Sequence, residues 1–313
     1  MIEWWYEAGI GENRAALVEG DRIIEAAIEL PGRLAVGTIA PARLVELGPA
    51  RQGRVTLDTG EEATLDPVPP AVTQGARLTV RVVREAIPEP GRPKLPKAVA
   101  TDDAPAPGPS LLDRIAATDL PVRTLLPHQP DALEAAGWSE LLDEAETGEI
   151  AFPGGSLRMS PTPAMTLFDI DGGPPLDRLA LAGAQAAAAA IRRHGIGGSI
   201  GIDFPTLSGK AERQAVAAAV DAALPQPFER TAVNGFGFLQ IVRPRPRASL
   251  PELLRADPIG AAARASLRRL EREPPGPPRP VKLPPAVLAR IEAEGWDVEL
   301  MRRTGRMPIW DRS

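Results

Sequence analysis

From Arg14 onward the chain alternates short apolar runs with turn residues. Arg14-Ala-Ala-Leu-Val-Glu-Gly-Asp-Arg-Ile-Ile predicts a strand, a turn at Gly20-Asp21 and a second strand. Further runs near 34–39, 53–58 and 76–84, punctuated by Gly and Pro, make residues 13–100 read as β and fit a small barrel. A proline-rich, acidic stretch at 101–112 predicts a linker. From 113 the apolar period lengthens, and Leu133, Ala136, Leu141 and Leu142 fall on one helical face. After Pro153-Gly154-Gly155 the pattern predicts strands at about 157–160 and 164–170, a helix over 176–194, a strand at 198–204, a helix over 208–224 and two strands near 229–234 and 236–243. Strands alternating with helices imply an α/β layer. Helices at about 249–256 and 259–273 follow, then a stiff proline-rich stretch at 274–280 and a last helix near 284–295. In that helix Val287, Leu288 and Ile291 share one apolar face, which predicts a packing or dimer element.

Composition narrows the chemistry. A chain of 313 residues predicts two or three structural units. It contains no cysteine and two histidines, His128 and His194, which removes disulfides, thiol nucleophiles and cysteine- or imidazole-rich metal sites and leaves only oxygen ligands for a metal. Proline, at 36 residues, is unusually frequent, so stiff connections are expected. No segment approaches the ~18 apolar residues of a membrane span, and Met1-Ile2-Glu3-Trp4-Trp5-Tyr6-Glu7 carries acids where a secretory signal needs bases, so a cytoplasmic protein is expected. The net charge of −5 conceals segregation: residues 101–150 hold eleven acids against two arginines, and residues 241–280 nine arginines against four acids. The basic stretch suggests either an anionic partner or a solvated helix face.

Several motif-like stretches carry no chemistry. Gly197-Gly198-Ser199-Ile200-Gly201 has the spacing of a nucleophile elbow, but it opens a strand instead of closing one, and no histidine follows His194 to act as base. Gly195-Ile196-Gly197-Gly198 follows a helix and predicts a helix cap and tight turn. Gly209-Lys210 lacks the upstream glycine of a P-loop. His194 beside Arg192 and Arg193 suits a helix C-terminus and is assigned no function.

The informative constellation is acidic. Ala164-Met-Thr-Leu-Phe-Asp169-Ile-Asp171-Gly-Gly ends a strand with carboxylates at i and i+2, on one face with Leu167. The next strand, Gly198-Ser-Ile-Gly-Ile-Asp203-Phe, also closes on an aspartate. Joined through the helix at 176–194, the two strands are expected to run parallel and bring these ends to one rim. Three carboxylates there would form an oxygen-only site suited to Mg²⁺ and to phosphodiester hydrolysis. The same residues also admit a purely structural reading, Asp171-Gly172-Gly173 as a turn and Asp203 as a strand terminator.

At these positions the sequence resembles the ribonuclease E and G family. Pro163-Ala164-Met165-Thr-Leu-Phe168-Asp169-Ile170-Asp171-Gly172-Gly173 is similar to that family's Glu-Ala-Leu-x-x-Ile-Asp-Val-Asn-Ser-Gly, and Gly197-Gly198-Ser-Ile-Gly-Ile202-Asp203-Phe204 to its Gly-Gly-x-Ile-Val-Ile-Asp-Phe. The likeness continues through Arg213-Gln-Ala-Val216 and Asn234-Gly235-Phe236-Gly237-Phe238-Leu239-Gln-Ile-Val-Arg243-Pro-Arg245. At the front, Glu12-Asn13-Arg14-Ala15-Ala16-Leu17-Val18-Glu19-Gly20 resembles the family's opening strand pair, and Gly75-Ala-Arg-Leu-Thr-Val80-Arg81-Val82-Val83-Arg84-Glu85 with Lys94-Leu95-Pro96 the end of its inserted barrel.

The resemblance spans roughly residues 12–250 and implies a mixed α/β (α+β) fold, an RNase H-like and DNase I-like core carrying an OB-fold RNA-binding barrel. Residues 1–33 and 113–160 would form the RNase H-like part, 34–100 the barrel, 101–112 a linker, 161–248 the DNase I-like catalytic part and 249–313 a C-terminal helical region. It implies a Mg²⁺-dependent endoribonuclease for single-stranded RNA. Asp169 and Asp203 would be catalytic and would hold the metal together with Asp171, which stands where the family has asparagine; Lys210, Arg213, Arg243 and Arg245 would contact phosphates. The chain departs from the family in four ways. About 60 residues separate barrel from catalytic strands, too few for the family's 5′-monophosphate sensor, so Pro121-Val122-Arg123-Thr124 is not taken as that pocket. Leu57 and Leu65 stand for two RNA-stacking phenylalanines, a loss of roughly 1–3 kcal/mol per base. The second acid of the Ile-Asp-Phe-Ile-Asp segment is replaced by Pro205-Thr206, and Gly235 replaces an arginine. The zinc-linking cysteines are missing, so a homodimer would not be zinc-bridged. The alternative is a non-catalytic RNA-binding relative.

Overall fold

Strand β1 (Ile2–Ala8), β2 (Asn13–Glu19) and β3 (Arg22–Glu29) form an antiparallel meander. A computed structural model of the chain describes residues 1–89, 91, 93–207, 209–274, 276 and 279–311. The hairpin expected around Gly20-Asp21 is β2–β3. Strand β1 lies outside the expected strands because three consecutive aromatics mask its alternation: Trp4 and Tyr6 are buried on one face and Trp5 is half-buried on the other.

Five strands then close a barrel: β4 (Ile39–Leu47), β5 (Gly53–Leu57), β6 (Glu62–Leu65), β7 (Arg77–Arg84) and β8 (Lys97–Ala100), in the order β4-β5-β6-β8-β7. Its first strand covers 39–47, not 34–39. Pro41 interrupts the apolar run there, yet the strand tolerates it because only its carbonyl is used, accepting from the Asp58 N–H at 3.1 Å. Strands β6 and β8, four residues each, are too short to leave a periodic signal. Aliphatic residues fill the interior, Leu44, Val55, Ala63, Val80 and Ala98 among them, as a narrow barrel requires. Residues 101–110 are strapped to the barrel and do not hang free: Ile39 and Ala106 exchange two backbone hydrogen bonds of 2.9 Å.

Helix α1 (Leu111–Ala116), strand β9 (Val122–Thr124) and helices α2 (Ala132–Ala135) and α3 (Trp138–Thr147) follow. Strand β9 pairs parallel to β1 and completes a sheet ordered β3-β2-β1-β9. Leu111 and Ile115 of α1 cover Trp4, Tyr6, Ala15 and Leu17.

The expected α/β layer is present. It comprises β10 (Glu149–Phe152), β11 (Gly155–Pro161), β12 (Thr166–Gly172), α4 (Leu176–Arg193), β13 (Gly198–Asp203), α5 (Lys210–Ala223), β14 (Glu229–Arg230) and β15 (Phe238–Arg243). The sheet order is β10-β11-β12-β13-β15-β14, and β12 and β13 run parallel through the α4 crossover, as predicted. Leu157, Met159, Phe168, Ile170, Ile200, Ile202, Leu239 and Ile241 point to the helices, where the alanine stripe of α4 (Ala180, Ala184, Ala187, Ala188) permits close approach. Alternation sends the other set of side chains, Arg158, Asp169, Asp203 and Val242 among them, to an open face.

The C-terminal stretch holds α6 (Leu250–Ala256), α7 (Pro258–Glu271), β16 (Pro280–Lys282), α8 (Pro285–Ala293), α9 (Trp296–Thr304) and β17 (Ile309–Asp311). Of the expected stiff stretch at 274–280, residues 275, 277 and 278 lie outside the described residues. The chain divides into two compact units, residues 1–32 with 111–140 and 254–313, and residues 33–110 with 141–253. The C-terminal region therefore joins the first strands, where a separate region over 249–313 was expected. Ile10, from the β1–β2 loop, packs with Ala263 and Leu267 of α7, Val287 and Ile291 of α8 and Leu300 of α9, so the apolar face of α8 is a packing element.

The same unit resolves the charge segregation. Arginines of α7 meet acids from far away in sequence. Glu7, wholly buried, binds Arg14 and Arg272, with Arg268 at 3.9 Å. Glu12 holds Arg14 at 2.6 Å and Arg264 at 2.9 Å. Arg268 also pairs with Asp131 and, at 3.1 Å, with Glu134, and Arg272 reaches Asp131 at 3.2 Å. Three arginines of the basic stretch, Arg264, Arg268 and Arg272, together with Arg14, thus face four carboxylates in an intramolecular network, so these side chains form no solvated face. Removing one partner from such a site strands a buried charge, at about 3–5 kcal/mol. Glu7→Ala is expected to lower the urea unfolding free energy by that amount, whereas Glu46→Ala, which removes an exposed barrel carboxylate paired with Arg54 at 2.9 Å, leaves the midpoint unchanged; equal midpoints for both would contradict the network's role.

Candidate functional site

Parallel pairing of β12 and β13 places Phe168 beside Ile202 and Asp169 beside Asp203. Neighbouring strands lie about 4.8 Å apart, so the two carboxylates, both exposed, share one spot on the open face while Phe168 and Ile202 fill the core behind them. Gly201 is essential to this surface. A Cβ there would stand 2.5 Å from the Phe238 ring and 2.8 Å from Leu167, so its absence lets those side chains lie over the strand as an apolar floor beside the acids. Asp171 faces the same side one repeat further along, opposite Ser156 of β11, but β13 ends at Asp203 and offers it no partner.

The cluster is acidic, with Arg158 the register partner of Asp169. The Asp169 carboxyl is held above the ordinary aspartate range by partial desolvation, then by the charges of Asp171 and Asp203, against the opposing pull of Arg158. Among the described residues, no three His, Asp or Glu side chains form a ready-made metal cage. The structure thus brings Asp169 and Asp203 together and leaves Asp171 at the margin.

The arginines expected beside the acids are elsewhere. Strand β15 runs antiparallel to β13, so Phe238 lies opposite Asp203 and Arg243 opposite Gly198. Five residues of strand, about 16 Å, separate Arg243 from the Asp203 position. Arg243 donates to the Ile196 carbonyl at 3.2 Å. Arg245 is bound by Glu89 at 2.8 Å and by Glu252, and Arg247 by Glu85 at 3.0 Å. These arginines anchor the β7–β8 connection of the barrel to the segment after β15; a groove combining them with Asp169 and Asp203 is not formed. Lys210, exposed, begins α5, and Arg213, half-buried, donates to the Leu207 carbonyl at 3.0 Å. A cation beside the acids is Arg158, the register partner of Asp169, which also holds Glu149 at 2.9 Å. The sequence reading passed over Arg158; its signal was a lone arginine between Ser156 and Ser160 on the outward set of its strand.

The discarded motifs are structural. Gly198 starts β13, so Ser199 opens a strand. His194 caps α4, is fully buried beside Glu144 at 3.3 Å, and is shifted toward its neutral form, chiefly by burial. Leu57 and Leu65 are 2% and 0% exposed inside the barrel, so neither occupies a surface position where a base could stack. The barrel segment, residues 33–110, contains no aromatic side chain. Among the described residues no helix is long and apolar enough to cross a membrane. No protein-family model matches the chain, and a search of curated proteins finds no match either.

A raised native pKa means that ionising Asp169 costs more in the folded state than in the unfolded one. Its stabilising contribution is present below the ordinary aspartate range near pH 4 and is lost as pH rises through the raised value. Asp169→Asn is therefore expected to melt above the parent at pH 7 and with it at pH 3. A lower melting temperature at pH 7 would show that the carboxylate is stabilised, not repelled, by its neighbours.

Proposed function

We propose that the chain is a Mg²⁺-dependent endoribonuclease acting on single-stranded RNA, akin to ribonucleases E and G, and working in the cytoplasm. The observation that carries the reading is the in-register pair Asp169 and Asp203 on an open sheet face. Their donor set fits the metal. Mg²⁺ is commonly held by one or two carboxylates and completes its shell with water and substrate phosphate, so an exposed pair of carboxylates in register on neighbouring strands suits it better than an all-protein cage. When bound, the ion would neutralise phosphate charge and lower the pKa of a water. The protein's own part is positional. Asp169 and Asp203 fix where the phosphodiester sits, the floor of Leu167 and Phe238 keeps water from one side, and Arg158 supplies a cation for an adjacent phosphate. Asp171 adds negative charge at the edge and favours a substrate whose phosphate enters from the Asp203 side.

The fold supports this reading. The barrel's strand order, with its third and fifth strands β6 and β8 parallel, suits an OB-type barrel, and the β3-β2-β1-β9 sheet suits an RNase H-like part. Lys210 and Arg213 at the start of α5, seven and ten residues beyond Asp203, remain candidates for phosphate contact. Arg243 and Arg245 are left out of the active-site set. Any homodimer would form without zinc, since the chain has no cysteine.

A second reading, a non-catalytic RNA-binding relative, draws on the aromatic-free barrel and on the lack, among the described residues, of a cluster of three metal-ligating side chains. One experiment separates the two. With Mg²⁺, the protein is expected to cut an A/U-rich single strand, and Asp203→Asn to slow the cut by at least about 100-fold while binding RNA equally in EDTA. Salt-dependent binding without cleavage at any Mg²⁺ concentration would favour the second reading. Equal cleavage by Asp203→Asn would refute the site.

A further inference from the structure

Of the chain's twelve aromatic residues, eleven are buried or half-buried. Phe236 is 87% exposed. Its position is fixed by a tight turn between β14 and β15. The Asn234 Oδ1 accepts from the backbone N–H of Phe236 at 2.9 Å and of Phe238 at 3.0 Å, and the Asn234 N–H donates to the Phe238 carbonyl at 3.0 Å. Gly237 completes the turn at φ +90°, where a Cβ would lie 2.4 Å from the Phe204 carbonyl oxygen. The ring is therefore displayed by a preorganised loop, and nothing lies within 4 Å of where a Gly235 side chain would project. Two residues later the chain enters β15 at Phe238, the register partner of Asp203.

We propose that Phe236 is a stacking platform for a nucleobase of single-stranded RNA, next to the phosphodiester held at Asp169 and Asp203. This rests on the reading of that pair as the RNA site. A base stack needs one open ring face and tolerates any base, and the turn supplies one ring flanked by glycines and an exposed asparagine. The barrel, lacking aromatics, supplies no other platform. Phe236 is thus a substrate-binding residue that sets the frame of the strand over the carboxylates.

The test measures binding of a fluorescent A/U-rich single-stranded RNA in EDTA, where no cleavage intervenes. Phe236→Ala is expected to weaken binding about five- to 150-fold, the loss of one base stack. Phe236→Trp is expected to bind like the parent, with its indole fluorescence quenched by RNA. Replacing successive bases by abasic sites should identify one position whose loss weakens the parent and leaves Phe236→Ala unaffected. Melting temperatures of all variants should match the parent, since the ring is exposed. Parent binding that Phe236→Ala leaves unchanged would overturn the assignment while leaving the RNA reading intact. Failure of the parent to bind RNA at any salt would overturn both. Self-association of the parent that Phe236→Ala abolishes, without a change in RNA affinity, would make the ring a protein contact instead.

Discussion

The parallel register of β12 and β13 is the constraint on which the candidate site depends. Connecting the two strands through α4 forces them to run the same way, and the alternation of each strand sends Phe168 and Ile202 inward and Asp169 and Asp203 outward together. A slip of one residue would bury one acid and part the pair, so the hydrophobic core behind the sheet enforces the juxtaposition in front of it. The Asp169 carboxyl is raised there by partial desolvation first and then by the charges of Asp171 and Asp203. With Asp171 and Asp203 beside Asp169, and Arg158 opposite it in register, the proposed divalent cation would relieve this crowding of like charge.

The remaining charges have a different task. Along the chain the acidic and basic stretches look like halves of an interaction with something else, but in space several of their members pair within the chain. Glu7 and Glu12 from the first hairpin, and Asp131 and Glu134 from the middle of the chain, take up Arg14, Arg264, Arg268 and Arg272. Arg245, with Glu89 and Glu252, plays a comparable part between the barrel and the segment beyond β15. The proposed RNA binding therefore relies on a few side chains around Asp203 and not on bulk positive charge, which agrees with the net charge of −5.

Much of the α/β layer was legible because its elements are long and their periods clean: 164–170, 176–194 and 198–204 fall within a few residues of β12, α4 and β13. The carboxylate pair was legible for the same reason, since strand period and crossover handedness together fix which ends meet. Other features were hidden by local causes. Consecutive aromatics masked β1, Pro41 displaced the first barrel strand, and β6, β8 and β9 were too short to show a pattern. Leu57 and Leu65 took surface roles by sequence likeness alone, whereas alternation within β5 and β6 turns them inward. The fates of Arg243, Arg245, Arg158 and Phe236 depended on strand direction and on exposure, which a linear pattern does not carry.

The central claim, that Asp169 and Asp203 together hold a divalent cation, is most directly tested with Mn²⁺, whose free-ion resonance signal reports binding without RNA or turnover. The account predicts one Mn²⁺ bound per chain, displaced by Mg²⁺ and lost when Asp169→Asn and Asp203→Asn are combined in a protein of unchanged fold. Mn²⁺ binding that persists in that double variant, or no binding by the parent, would contradict it.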